Sequence, residues 1–272
     1  MTAPFALAPS FRRTPALVGM IHVLPTPGSP GHVGLAASRE RALHDAKALL
    51  EAGFDGLLVE NMHDFPPLRE DEMGPETPAW MTALAGAVRE AAPPEIPVGL
   101  QVLFAAHRVA AAVLVAAGLD FLRAEAWTYG HLADKGWAEA SAGRTVRYAR
   151  SLGVDPLVVW ADARKKHASH AATADLTLEE VAAGLSLHGA SAVVVTGPTT
   201  GVAPDPDHFA RLRRVSDLPL VLGSGLTVQN APSFRNVADA LIVGTAVKTG
   251  GKWTNGVDPR RARALVEAVH GA

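Results

Sequence analysis

Short apolar runs recur along the chain at nearly even intervals, and almost none alternates with charged residues. They lie at Leu17–His22, Gly56–Glu60, Val98–Val102, Asp120–Glu125, Leu157–Asp162, Ala192–Thr196, Leu220–Gly223 and Ala240–Gly244. Each has strand length and is rich in Val, Leu and Ile. A strand without a polar face is covered on both sides, which is the condition of a parallel strand in an α/β fold. Between most of these runs the spacing turns helical. The predicted helices are Ser38–Ala52, Pro78–Ala91, His107–Ala117, Ala138–Leu152, Leu178–His188 and Pro206–Ser216, with a last one over Pro259–Val269. The segment after Gly225 has room for only a short helix.

The junctions repeat one arrangement. In EAGFDG, AAGLDF, SLGVDP and LHGASA a helix runs out at Gly53, Gly118, Gly153 or Gly189 and a strand begins. Glycine suits the left-handed position that ends a helix. Ser38 is predicted to open the first helix, and Thr177 with Glu180 reads as a capping box. Strand starts fall roughly 30 residues apart, the size of one βαβ unit. Eight such units predict an α/β fold of a single (β/α)8 TIM barrel over residues 16–272, after an N-terminal arm at 1–15. An open doubly wound sheet is disfavoured, because no G-x-G-x-x-G follows the first strand.

Composition narrows the functional classes. The chain has 272 residues, 48% hydrophobic and 19% charged, with net charge −2 and no cysteine. A large core is available, and nothing offers the clustered basic surface that nucleic acid needs. Disulfides, thiolate metal sites and cysteine nucleophiles are excluded. No apolar run reaches the roughly 18 residues of a membrane span. The N-terminal stretch lacks the order of a secretory signal, so the expected location is cytoplasmic. A homo-oligomer is compatible with all of this.

In such barrels the active site lies at the carboxyl ends of the strands. Every predicted strand delivers a polar group there: His22, Glu60 with Asn61, Gln101, Arg123 with Glu125, Asp162, Thr196, Ser224 and Thr245. Any one of these has a plain structural reading, since strands often end where the chain meets water. Eight in succession point to a site. Arg123 and Glu125 are two apart and share a face; they either hold a ligand or pair with each other. Glu60 and Asn61 point to opposite faces, and Glu60 is expected inward. His22, Glu60, Glu125 and Asp162 are candidate acids and bases. They are also candidate ligands of a divalent ion, but no H-x-H follows the first strand and no H-E-x-x-H exists, so no metal or other cofactor is predicted.

The segment ADARKKHASH places Asp162 close to Lys165 and Lys166. A carboxylate beside a lysine holds it charged or relays a proton. After the seventh predicted strand comes Gly223-Ser224-Gly225, and after the eighth come Gly244, Thr245 and Lys248. Loops at these two places form the usual phosphate site of a barrel. Glycine lets backbone N–H groups approach the anion, and a side chain on Gly225 would fill the space of a phosphate oxygen. Thr196 and Gly197 begin a third glycine-threonine loop. The tight-turn reading of Gly223 stands beside this one. Two long loops, LPTPGSPGHVG and DFPPLREDEMGPETP, follow the first two strands and would share one rim.

Taken together, GMIHVLPTPGSP, DGLLVENMHD, LDFLRAEA, ADARKKHASH, VVVTGPTTG, LVLGSG and DALIVGTAVKTGGKWTNGVD resemble the BtpA/SgcQ family over nearly the whole chain. The resemblance implies a barrel of the ribulose-phosphate-binding type. The family's founding name implies a role in photosystem I biogenesis, and other members are associated with sugar-utilisation operons. Many members carry Asn-Val-Leu-x-Asn-Asp at the third strand. Here the stretch is Gln101-Val102-Leu103-Phe104-Ala105-Ala106, which implies a subgroup with a different substrate preference. The leading expectation is an enzyme for a small phosphorylated metabolite, a sugar phosphate or nucleotide-like compound. Isomerase, epimerase or lyase chemistry without cofactor fits it. A non-enzymatic assembly factor is the second expectation, and a metal-dependent hydrolase the third.

Overall fold

A computed structural model describes residue 11, residues 13–197 and residues 201–271. In chain order its strands are β1 (Ala16–His22), β2 (Gly56–Glu60), β3 (Val98–Gln101), β4 (Phe121–Ala124), β5 (His131–Ala133), β6 (Gly136–Ala138), β7 (Val159–Asp162), β8 (Ala168–Ser169), β9 (Ala192–Val195), β10 (Leu220–Leu222) and β11 (Ala240–Val243). The helices are α1 (Leu35–Ala52), α2 (Glu76–Ala91), α3 (His107–Ala117), α4 (Ala142–Ser151), α5 (Leu178–Leu187), α6 (Asp207–Leu212), α7 (Ala231–Phe234) and α8 (Pro259–His270). Eight strands close a parallel barrel in the order β1-β2-β3-β4-β7-β9-β10-β11. This is the expected (β/α)8 architecture, and all eight expected strands are in it.

Alternation sorts each strand. Leu17, Val59, Leu100, Leu122 and Val193 face outward into the large core shared with the helices. Val18, Met20, Leu58, Phe121, Trp160, Val194, Val221 and Ile242 fill the barrel interior. Phe121 and Trp160 stack there with ring centroids 4.3 Å apart. Phe11 lies 5.6 Å from the Trp160 ring and adds a further aromatic to this layer. An added Cβ on Gly99 would meet the Phe121 ring at 2.4 Å, so the bare backbone of β3 makes room for that ring.

Several boundaries differ from the sequence expectation. The first helix opens at Leu35 after Gly34, so Ser38 is buried inside it and its hydroxyl caps nothing. Ala138 begins no helix; it ends β6, which pairs antiparallel with β5 around a turn at Asp134 and Lys135, and Gly136 after the turn has φ 108°. Together β6, β5 and β8 make a small sheet over the mouth, built from the loops after β4 and β7. The helix expected to Ser216 ends at Leu212. The capping box is present: Glu180 N–H donates to Thr177 Oγ1 at 3.2 Å, and Thr177 N–H donates to Glu180 Oε2 at 2.7 Å. Gly53 and Gly118 end their helices in the left-handed conformation, as their positions implied. Among the described residues no helix is long and apolar enough to cross a membrane.

Candidate active site at the barrel mouth

The same alternation that points Met20, Leu58, Phe121 and Trp160 inward carries on for one more step. Two residues later come His22, Glu60, Arg123 and Asp162. Register sets His22 beside Glu60 and Glu60 beside Gln101. The apolar interior therefore gives way to a charged layer at the carboxyl ends of the strands. A cavity of about 850 Å³ opens above it, lined by His22, Glu60, Arg123, Lys165, Lys166 and the loops after β10 and β11.

Two buried ion pairs organise this layer. Arg123 donates through Nη2 to Asp162 Oδ1 at 3.0 Å and through Nη1 to the Gly223 carbonyl at 3.3 Å. Lys165 Nζ lies 3.1 Å from Glu125 Oε2. Glu125 Oε1 also accepts the Ala105 N–H at 3.0 Å. Burial works against the Glu125 charge, but the Lys165 charge and the Ala105 N–H outweigh it and bring the carboxyl down to about 2. Burial likewise opposes the charges of Arg123 and Lys165, and the facing carboxylates more than restore them. Arg123 and Glu125 thus share a face without pairing with each other. The carboxylate that holds Lys165 is Glu125, and Asp162 holds Arg123 instead, a correction to the lysine partner expected for Asp162. Its second oxygen, Oδ2, is buried with no partner among the described residues. In both pairs the cation lines the cavity and the carboxylate sits behind it.

His22 and Glu60 form the other side. His22 Nδ1 is 3.1 Å from the Trp253 carbonyl, which fixes the proton on that nitrogen. Nε2 is then the acceptor and lies 3.9 Å from Glu60 Oε2. Burial, then the Lys248 charge, push the His22 ring down to about 3, so it is neutral at pH 7. Glu60 lines the cavity, as its inward position implied, while Asn61 faces away. Asn61 accepts the Leu103 N–H at 2.6 Å and donates to Asp64 at 2.9 Å, tying the loops after β2 and β3 together.

The glycines after β10 and β11 have a structural explanation that the sequence did not supply. An added Cβ on Gly223 would lie 3.1 Å from Arg123 Nη2 and 2.5 Å from Val194 Cγ1. One on Gly244 would lie 3.2 Å from the His22 ring. These positions are bare so that side chains of other strands can lie across the mouth. Gly225 has φ 83°, and its Cβ would sit 2.3 Å from Ala203 N. Its loop packs against Val202 and Ala203, which corrects the expectation that the space is kept only for a phosphate oxygen. The N–H of Gly223 is bonded to the Val195 carbonyl. By contrast, the N–H groups of Ser224, Gly225, Thr245 and Ala246 find no acceptor among the described residues. Ser224 Oγ is buried there without a partner. Ser224, Gly225, Gly244 and Thr245 all line the cavity.

Other expected residues lie elsewhere. Lys248 does not reach the mouth: it is fully buried, donating to Asp45 Oδ2 at 2.7 Å and to the Met20 carbonyl at 3.1 Å. That buried pair ties the last loop to α1 and removes Lys248 from any phosphate site. The Thr196 hydroxyl donates to the Arg164 carbonyl at 2.8 Å and is used up in the loop after β7. Gly197 packs its backbone against Val202, and the loop it begins continues into 198–200, outside the described residues. Gln101 is buried in the charged layer, and neither of its amide atoms has a partner among the described residues. Among the described residues, no three His, Asp or Glu side chains are placed to hold a metal ion.

The rim was visible only in part in the sequence: the loop DFPPLREDEMGPETP was expected there, and its Phe65 lines the cavity, but its partners were not foreseen. Trp253, from the loop after β11, lies with its ring 5.0 Å from His63 and 6.0 Å from Phe65. Lys135, from the β5–β6 turn, stands 5.9 Å from the Phe65 ring. Three loops distant in the chain thus meet over the cavity. Periodicity says nothing about loops, and only the GGKWTNGVD motif marked Trp253 at all.

Comparison with known proteins gives this architecture a family. A relative from Caenorhabditis elegans, an uncharacterised protein with mitochondrial in its name, is 35% identical over 94% of this chain and 93% of its own. A cytoplasmic setting is therefore not common to all such relatives. The photosystem I biogenesis protein BtpA of Synechocystis is 30% identical over 96% of this chain and 90% of its own. Among solved structures, thiamine phosphate pyrophosphorylase from Pyrococcus furiosus matches with TM-score 0.57 at 11% identity, over 94% of this chain and 95% of its own. Phosphoribosyl anthranilate isomerase from Thermus thermophilus matches with TM-score 0.57 at 12% identity, over 93% and 98%. These two likenesses speak to the fold alone. The BtpA family model spans residues 13–271, and the chain belongs to the BtpA family.

Proposed function

We propose that this protein is an enzyme acting on a small phosphorylated metabolite by acid–base chemistry. The observation that carries the proposal is the set of unpartnered donors between two loops. Ser224, Gly225, Thr245 and Ala246 line the cavity, their N–H groups have no acceptor among the described residues, and Ser224 Oγ is buried without a partner. Buried polar groups are normally bonded, so the unpartnered Ser224 Oγ calls for a partner, and the free N–H groups beside it are donors ready for the same one. Donors held in advance suit an anion, and Arg123, Lys165 and Lys166 on the same cavity favour negative charge further. The two barrels named above have phosphate or phosphoribosyl in their names, which agrees with this reading.

Glu60 is the carboxylate of the charged layer that faces the cavity with no lysine or arginine clamped to it among the described residues. It is placed to take a proton from a bound ligand and return it, with the neutral His22 Nε2 alongside at 3.9 Å. Asp162 and Glu125 fix the cations that neutralise developing negative charge. A thermal-shift panel of sugar phosphates, each run beside its dephosphorylated form, tests the proposal. A true ligand at about 100 times its dissociation constant stabilises by about 2.7 kcal/mol. The phosphorylated member of one pair should shift unfolding and its partner should not. Equal shifts, or none across the panel, would leave the assembly-factor reading in its place.

A further inference from the structure

Arg123, Lys165 and Lys166 all line the cavity, and two of the three are tied down. Asp162 holds Arg123 at 3.0 Å and Glu125 holds Lys165 at 3.1 Å. Lys166 lines the same cavity, and no carboxylate among the described residues pairs with it. Its neighbours Arg123 and Lys165 are fixed and charged, so they repel a proton on its amine. Burial first, then those two charges, bring Lys166 down to about 8, against the opposing pull of Glu60 and Asp162. An ordinary lysine titrates at about 10.4, so the neutral amine is roughly two hundredfold more abundant here at pH 7. A neutral, desolvated lysine beside other cations is a nucleophile toward carbonyl carbon.

We propose that Lys166 forms a covalent imine with an aldehyde or ketone carbon of the ligand, which makes the substrate class a phosphorylated carbonyl compound. The phosphate end of that ligand rests on the function proposed above; the imine does not. In the step, the Nζ lone pair adds to the carbonyl carbon and the carbonyl π pair moves to oxygen. The oxygen takes one proton and the nitrogen releases one, giving a carbinolamine. A second proton on the hydroxyl lets it leave as water, and the nitrogen lone pair forms the carbon–nitrogen double bond. The net change is one water lost and one protonated imine formed. Glu60, on the cavity wall, is a carboxyl group placed to carry these protons.

The test uses the wild-type protein with glycolaldehyde phosphate and cyanoborohydride at pH 7, followed by peptide mapping. Cyanoborohydride delivers hydride to an imine and leaves a stable secondary amine. Lys47, whose side chain is 75% exposed, serves as the internal reference. Lys166 should be labelled at least about tenfold faster than Lys47. Inorganic phosphate should slow that labelling, and Lys166→Arg, which keeps the charge, should abolish it. Labelling of Lys166 no faster than Lys47 would overturn the imine, even if phosphate still raised the unfolding temperature. If unphosphorylated glycolaldehyde labels Lys166 equally fast and phosphate has no effect, the imine stands and the phosphate anchor falls.

Discussion

The lower and upper halves of the barrel interior are built on the same strands, at positions two residues apart. Below are Met20, Leu58, Phe121 and Trp160; above them are His22, Glu60, Arg123 and Asp162. The lower set is wholly apolar apart from the Trp160 indole nitrogen, and it packs ring against ring. The upper set is buried too, yet it is polar and, His22 apart, made of ionisable acids and a base, and part of it is unpartnered. Burying charge is costly even when it is paired. One half of the interior therefore stabilises the fold, and the other draws on that stability to hold a reactive surface ready. Substitutions in the two halves should separate these roles.

The largest loss of stability is expected below. Phe121→Ala leaves a hole beside Trp160 and should destabilise by about 3–5 kcal/mol in chemical denaturation. Ligand affinity of the folded fraction should stay within about twofold, because the cavity lies a layer above. An equal loss of affinity and stability would erase the division. Asp162→Asn in the upper layer comes next. It leaves Arg123 buried with a neutral acceptor and should destabilise by about 1.5–3 kcal/mol. A change near zero would show that Arg123 needs no counter-charge.

Acid should also weaken the fold through two buried histidines, His22 in the upper layer and His107 at the start of α3. Both are held neutral, with burial bringing them down to about 3 and about 4. In the unfolded chain they take up protons below about pH 6.5, whereas in the folded protein they do not. Falling pH therefore favours unfolding from about 6.5 down toward the folded values. Each contributes up to about 1.4 kcal/mol per pH unit, and His22→Gln should flatten the slope by its share. A flat stability profile between pH 6.5 and 4.5, measured with urea, would contradict this. The smallest effect on stability is expected at Ser224. Ser224→Ala removes a hydroxyl that bonds nothing among the described residues, so stability should move by less than about 0.5 kcal/mol. Phosphate-ligand affinity should nevertheless fall about tenfold, which calorimetry would detect.

The lower half was almost fully legible in the sequence, because a strand buried on both faces must be written as a continuous apolar run. The upper half was legible one strand at a time. Alternation pointed Glu60, Arg123 and Glu125 inward, but it could not pair them. Asp162 lies 39 positions from Arg123 and meets it only because β4 and β7 are neighbours. A whole excursion, β5 with β6, separates those strands in the chain, and no strand was expected there; only Ala138, the last residue of β6, fell inside a predicted helix. Lys248 misled for a related reason. Its place after the last strand suggested the mouth, but its partner Asp45 sits on α1, on the outer side of β1. Gly225 looked like an anion loop, and the backbone of Ala203 against which it packs could not be read from any local pattern.

The most direct measurement is the electron density of crystals soaked in inorganic phosphate. The account predicts one anion between the loops after β10 and β11. It should accept hydrogen bonds from Ser224 Oγ and from the N–H groups of Gly225 and Thr245, at the roughly 2.7–3.1 Å of charge-assisted contacts. An empty mouth, with those N–H groups turned onto protein carbonyls, would contradict it and leave the two loops as turns that close the barrel.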